Sequence, residues 1–211
     1  MNKFFFHCTL FFSFFVFSQN NEIELWGKMN FKDKINKNLF FSLEPGSRYN
    51  LDNFFFTKQF LDISLEHYIY KGHLGELSFE IGGRLTKMPN QRRLGKRQYL
   101  TTYYSKKIQK FNISWRSRLF FEQNITNYNR QYFRNKYTLQ YNKYDFFRPF
   151  IDGEYLYGLN SENVNKFRYS LGSSFRFSKK TTIKIFYRLQ NSEETIQKKK
   201  TIFGVYLTQK L

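Results

Sequence analysis

The chain of 211 residues contains no alanine, one cysteine, three histidines and three prolines. Each shortage closes a route. Without alanine the strongest helix former is missing, while 28 Phe and 16 Tyr remain, a balance that favours strands. The lone Cys8 has no partner for an intrachain disulfide or a thiolate metal site, and two scattered mature histidines, His67 and His73, lack metal-ligand spacing. No segment after residue 18 is apolar enough to cross a bilayer as a helix. Membrane residence therefore requires a closed barrel, because lipid satisfies no backbone hydrogen bonds.

Acidic residues are also scarce, 16 Asp and Glu against 35 Lys and Arg, for a net charge of +19. Such an excess raises nucleic acid as a partner. The N-terminus argues against it. MNKFFFHCTLFFSFFVFSQ places one positive charge at Lys3 before an apolar run from Phe4 to Phe17, then small Ser18 before Gln19. That is the plan of a secretory signal, with Val16 and Ser18 at the positions that the peptidase reads. Residues 1–18 are predicted to be removed, leaving residues 19–211 as one domain with a net charge of +18 once Lys3 is gone. Cys8 lies too close to Lys3, and is followed by Thr9 rather than a small residue, so lipidation is not expected. For an exported chain, the anionic phosphates of outer-membrane lipid and lipopolysaccharide are the better-placed partners.

What is present is a period of two. From Lys110 to Glu122, Phe111, Ile113, Trp115, Leu119 and Phe121 alternate with Lys110, Asn112, Ser114, Arg116, Arg118 and Glu122. Successive strand side chains point to opposite faces, so the segment has one apolar wall and one charged wall. Lys166–Phe177 and Thr182–Gln190 repeat the pattern, as do Leu61–Glu66, Glu76–Thr86, Arg130–Tyr141 and, more weakly, Phe147–Tyr157. Aromatics such as Phe111, Tyr141, Tyr155, Tyr157 and Phe177 recur near the ends of the apolar face, which suits interfacial girdles. Tight turns near 33–37, 71–75, 106–109, 142–145 and 178–180 alternate with longer links near 45–56, 88–96, 123–129, 158–165 and 191–200.

These features predict an all-β, antiparallel transmembrane barrel in the cell outer membrane, with short periplasmic turns, longer extracellular loops and a periplasmic C-terminus. The last strand, ending Phe203, Val205, Leu207, Gln209, Leu211, resembles the signal read by the barrel-assembly machinery. The alternation parses into eleven segments, whereas bacterial single-chain barrels have even strand numbers. About ten to twelve strands are expected. Ten, the preferred count, follows if Glu22 to Phe31 is a plug or edge segment; twelve follows if a strand near the start escapes the parse. A soluble periplasmic β-sandwich or a lipid-binding barrel is the alternative, because periodicity alone does not separate these folds.

The series WRSRLFFEQ (115–123), YFRNKY (132–137), RPFIDGEYLYG (148–158), FRYSLGSSF (167–175) and IFYRLQ (185–190) resembles the uncharacterised outer-membrane barrel proteins of about 200 residues grouped as a domain of unknown function. The resemblance covers roughly residues 22–211, with Arg116, Arg118, Glu122, Arg134, Pro149, Glu154, Arg168, Gly172 and Tyr187 at the family's recurrent places. It implies a barrel and brings no catalytic residues with it.

The polar face therefore predicts a lumen charge network of Arg84, Arg116, Arg118, Glu122, Arg134, Arg148, Glu154, Arg168, Arg176 and Arg188, with Asp62, Glu66, Glu80 and Asp152 as further acids. The first reading is a structural or interaction protein whose ion pairs fill the lumen, since charges left isolated in a dry interior are costly. The second is a narrow, anion-biased pore, because bases outnumber acids. An outer-membrane lipid hydrolase is the enzymatic alternative, and no GxSxG motif accompanies any serine. No cofactor is expected. Gly82–Gly83 reads as a kink or close-packing point, and the basic stretch at 90–97, with Arg92, Arg93, Lys96 and Arg97, as either a lipopolysaccharide contact or a solvated loop.

Overall fold

The structure is a computed structural model that describes residues 22–89, 94–123, 129–159, 165–193 and 197–211. The leader predicted at residues 1–18, with Cys8, and Arg92 and Arg93 lie outside the described residues. Eleven strands carry the alternation: β1 (Glu22–Lys34), β2 (Leu39–Asn50), β3 (Phe55–Gly72), β4 (Gly75–Lys87), β5 (Gly95–Ile108), β6 (Phe111–Gln123), β7 (Asn129–Tyr141), β8 (Phe147–Gly158), β9 (Asn165–Arg176), β10 (Thr181–Glu193) and β11 (Gln197–Lys210). Each pairs with its sequence neighbours, and the sheet closes on itself through β1 and β11.

Closure puts the count at eleven, within the expected ten to twelve, and corrects the preference for ten. Glu22 to Phe31 is no plug: it belongs to β1, a full member of the wall, and the number of strands is odd. An odd number of antiparallel strands cannot close with antiparallel pairs throughout. One pair must run in parallel, and it is β1 with β11, in register from Glu22↔Lys200 to Lys32↔Lys210. Glu22 therefore sits at one rim and Lys210 at the other, whereas a ten-strand parse would bring both ends together.

The connections differ less in length than the sequence predicts. Those at the rim of Lys210 span two to five residues, and those at the rim of Glu22 span three to seven. The reason lies in the strands, which run 12 to 18 residues and absorb chain assigned to links. A tilted membrane strand needs only about 9–11 residues. Pro45–Asn50 is the clearest case. Pro45 followed by Gly46 reads as a turn, yet both lie within β2, paired with Leu61 and Phe60 of β3. On its other side, the β1–β2 ladder is interrupted between Gly46 and Leu43, where Pro45 has no N–H to donate. At the tight turns, left-handed backbone at Gln109 (φ 51°) and Gly75 (φ 126°) reverses the chain.

Burial identifies the two walls. Leu61, Ile63, Leu65, Ile81, Leu100, Ile113, Ile151, Leu171, Ile185 and Val205 are exposed on the outside, while Asp62, Thr101, Arg118, Asp152, Glu154 and Arg188 are buried within. A water-soluble barrel would show the reverse, and an apolar surface that circles the molecule far exceeds the patches of soluble monomers. Aromatic pairs gather towards both rims, Phe111 with Tyr141 and Phe146 with Phe177 at one, Tyr49 with Phe56 and Tyr155 with Phe167 at the other.

Candidate functional site in the barrel lumen

The inward register holds more than charge. Two aromatic clusters are buried there, Trp26, Phe150, Phe186 and Ile202 in one, and Tyr99, Phe120, Tyr132 and Leu156 in the other. Large rings pointing at the axis would block a narrow barrel. Here the register sets a glycine opposite many of them: Gly204 faces Phe186, Gly172 faces Phe150, Gly46 faces Phe60, and Gly82 faces Tyr99. A Cβ on any of these glycines would collide with the ring beside it. The rings thus fold over the bare backbone of the next strand and lie against the wall. Gly82 is accordingly a close-packing point, one of the two roles read from the sequence.

Rings that lie on the wall offer their faces to the lumen, and cations occupy them. Arg118 stacks on Tyr99 at 3.8 Å, Arg84 on Phe60 at 4.1 Å, Arg97 on Phe120 at 4.5 Å, Lys184 on Phe150 at 3.6 Å and Arg48 on Trp26 at 3.9 Å. Attraction to the negative face of the ring supplements ion pairing at such sites.

Carboxylates hold most of the bases. Glu154 of β8 accepts from Arg168 at 2.5 Å and from Arg134, with Arg116 at 3.7 Å. Its neighbour Asp152 takes Lys136 at 2.7 Å and Arg188 at 3.8 Å. Across the barrel, Glu80 binds Arg118 at 2.9 Å and accepts from the Tyr103 hydroxyl at 2.8 Å. Asp62 binds Arg84 and accepts from the Tyr99 hydroxyl, both at 2.5 Å, and Glu44 binds Lys28 at 2.5 Å. Arg97 pairs with Glu122 at 2.9 Å, and Lys32 pairs with Glu66.

Between these walls lies an axial cavity of about 230 Å³, lined from every strand except β8. Its charged lining comprises nine bases (Lys28, Arg48, Arg84, Arg116, Arg118, Arg134, Lys136, Arg168 and Arg188) and three acids (Glu44, Asp62 and Glu80). Glu154 and Asp152 stand behind their arginines and do not line the space. The cavity is therefore strongly cationic, and its chemistry is to attract and orient anions.

Most of the predicted network is assembled here. Arg84, Arg116, Arg118, Arg134, Arg168, Arg188, Glu122 and Glu154 all take part in lumen ion pairs. Arg148 faces inward with no ion-pair partner among the described residues, its buried Nε lacking an acceptor there. Arg176 departs from the expectation: it is exposed at the end of β9, at the rim, because its strand stops there. The basic stretch is also divided. Arg97 turns into the lumen, so it does not join a surface patch, and Lys96 alone of the four is described as exposed outside the lumen. Sequence reading missed Lys28, Arg48, Glu44 and the lumen aromatics. For Lys28 and Arg48 the signal was the continuation of the period of two through residues taken as a plug and a link.

The fold can be set beside known proteins at this point. It superposes on the NanC porin with a TM-score of 0.59 at 10% identity, covering 89% of this chain and 99% of that one. An anion-selective porin from Comamonas acidovorans aligns with a TM-score of 0.40 at 7% identity, over 84% of this chain and 83% of that one. No curated protein matches the sequence. A closed barrel accords with the family that the sequence identifies, for the family model matches residues 23–200, and the chain belongs to the family described as "Protein of unknown function (DUF2490)".

Proposed function

We propose that the protein is an integral outer-membrane β-barrel whose lumen forms a narrow passage biased towards small anions. The observation that carries this reading is the axial cavity, whose lining has nine bases against three acids. Rings of fixed charge select the counter-ion in a pore, and low-dielectric walls strengthen the effect. Rings folded over glycines lie against the wall and leave a cavity between the charged side chains, which supports a passage over a lumen filled by side chains. The apolar outer wall, the aromatic girdles and the leader read at residues 1–18 support membrane residence. In this orientation the longer links face outwards and Lys210 faces the periplasm. The activity is one of passage, with no chemistry performed on the solute.

Planar-bilayer recordings of the purified full-length protein test the proposal. Discrete openings are expected, with a reversal potential under a KCl gradient displaced to the chloride side. Silence in bilayers that hold folded protein would return the lumen to the filled, structural reading, which the dense ion pairing favours. Recovery of the protein from the periplasm without detergent would overturn membrane residence itself.

A further inference from the structure

The nine cavity-lining bases are not equivalent. Eight have a carboxylate within ion-pair distance: Lys28 has Glu44, Arg84 has Asp62, Arg118 has Glu80, Lys136 and Arg188 share Asp152, and Arg116, Arg134 and Arg168 share Glu154. Arg48 has none. Its guanidinium lies 3.9 Å from the Trp26 ring centroid, and that ring is fixed in turn by its indole N–H, which donates to Glu24 at 2.6 Å. Stacking uses the face of the guanidinium and leaves the N–H groups along its edge free to donate.

Two further guanidinium groups converge on the same indole, Arg168 at 5.5 Å and Arg188 at 5.4 Å from its centroid. They come from β9 and β10, whereas Arg48 comes from β2, on the other side of the seam. Arg168 is locked by Glu154 and Gln190, and Arg188 by Ser170, so their positions are held before any solute arrives. The β2 backbone is irregular at Arg48/Tyr49, a bulge of the sort that re-aims a side chain. A half-buried cation with no carboxylate in direct contact is costly to keep.

We infer that Arg48, stacked on Trp26 and facing Arg168 and Arg188, is the primary contact of a binding site for a small oxyanion of the phosphate type. This deepens the reading of the lumen as an anion-accessible passage and rests on it. The planar guanidinium fork matches two oxygens of an oxyanion and gives a halide no such bidentate contact. Arg168 and Arg188, gathered at the same indole and lining the same cavity, add positive field. A cavity of about 230 Å³ suits inorganic phosphate or a small phosphate ester.

The probe is inorganic phosphate, tested on the full-length protein folded in detergent, against chloride at matched ionic strength. The expected result is saturable binding with one phosphate per chain, and a higher temperature for the heat-dependent gel-mobility transition in phosphate than in chloride. Arg48→Gln should weaken phosphate binding at least tenfold without lowering the transition in chloride, because it removes a cation with no carboxylate partner. Arg176→Gln, at the rim, should leave binding unchanged. Equal behaviour in phosphate and chloride would overturn the site. So would an Arg48→Gln protein that binds phosphate as well as the parent, or one destabilised equally in both salts, which marks a purely structural stack. If Arg48→Gln does not fold, Arg48→Lys, which keeps the charge and loses the fork, should bind several times more weakly; unchanged binding again overturns the site. Bilayer recordings separate the two proposals: phosphate binding without openings removes the passage and keeps the site, and openings without phosphate preference do the opposite.

Discussion

Glu154 carries the largest share of the lumen's pairing. Three arginines from three strands, Arg116, Arg134 and Arg168, lie against one carboxylate whose side chain has no solvent exposure. Removing the negative charge leaves all three without their common partner, and breaking a buried pair in this way costs about 3–5 kcal/mol. Glu154→Gln is therefore expected to lower the temperature at which the folded band is lost on heated gels. Glu122→Gln, at a pair whose carboxylate side chain is 23% exposed, should lower it far less, because solvent already screens that site. Both carboxylates were readable from the chain, since each falls on the charged face of an alternating segment. Arg48 was not. Pro45 and Gly46 carry strong turn signals, and only the pairing of β2 with β3 overrides them.

At the scale of the strand, the period of two was the dependable signal, because one residue of slip would carry a whole apolar face into the lumen. It located the outer wall correctly in every segment it was applied to, Lys166–Phe177 among them. It did not locate strand ends, since loop composition differs little from that of a strand extended past the bilayer. Nor did it foretell rings in the lumen: Phe186 sits on the charged face of β10, and its place is intelligible only with Gly204 and Gly172 in view on the flanking strands. Leu171 tests the outer wall. It lies midway along β9 and is 55% exposed among Ile151 and Tyr187 of the neighbouring strands. In a bilayer, Leu171→Arg should cost about 2–4 kcal/mol, the penalty for a cation near the midplane. The measurement is the folded fraction in lipid vesicles across a urea series. A soluble sandwich would tolerate the same exposed substitution with little change.

At the scale of the molecule, the sequence carried the barrel and left its parity open. Nothing local to residues 22–31 distinguishes a wall strand from a plug; the difference is made by a partner about 178 residues along the chain, where Glu22 meets Lys200. Such a contact cannot form as a hairpin, and it closes against the largest loop entropy in the molecule. The parallel seam has a direct readout. Epitope tags placed before Glu22 and after Leu211 should be reached from opposite sides, the first on intact cells and the second only after permeabilisation. Both tags reporting the same side would exclude the eleven-strand closure.

A barrel with an even number of strands returns its chain to the compartment from which it set out. With eleven strands and a parallel seam, this one does not: the polypeptide makes a net single passage along the barrel, and its two ends lie at opposite rims. In the outer membrane, the end ahead of Glu22 would have to cross the bilayer during assembly while the last strand stayed behind. A passenger fused ahead of Glu22 would then be displayed, and one fused after Leu211 would be retained.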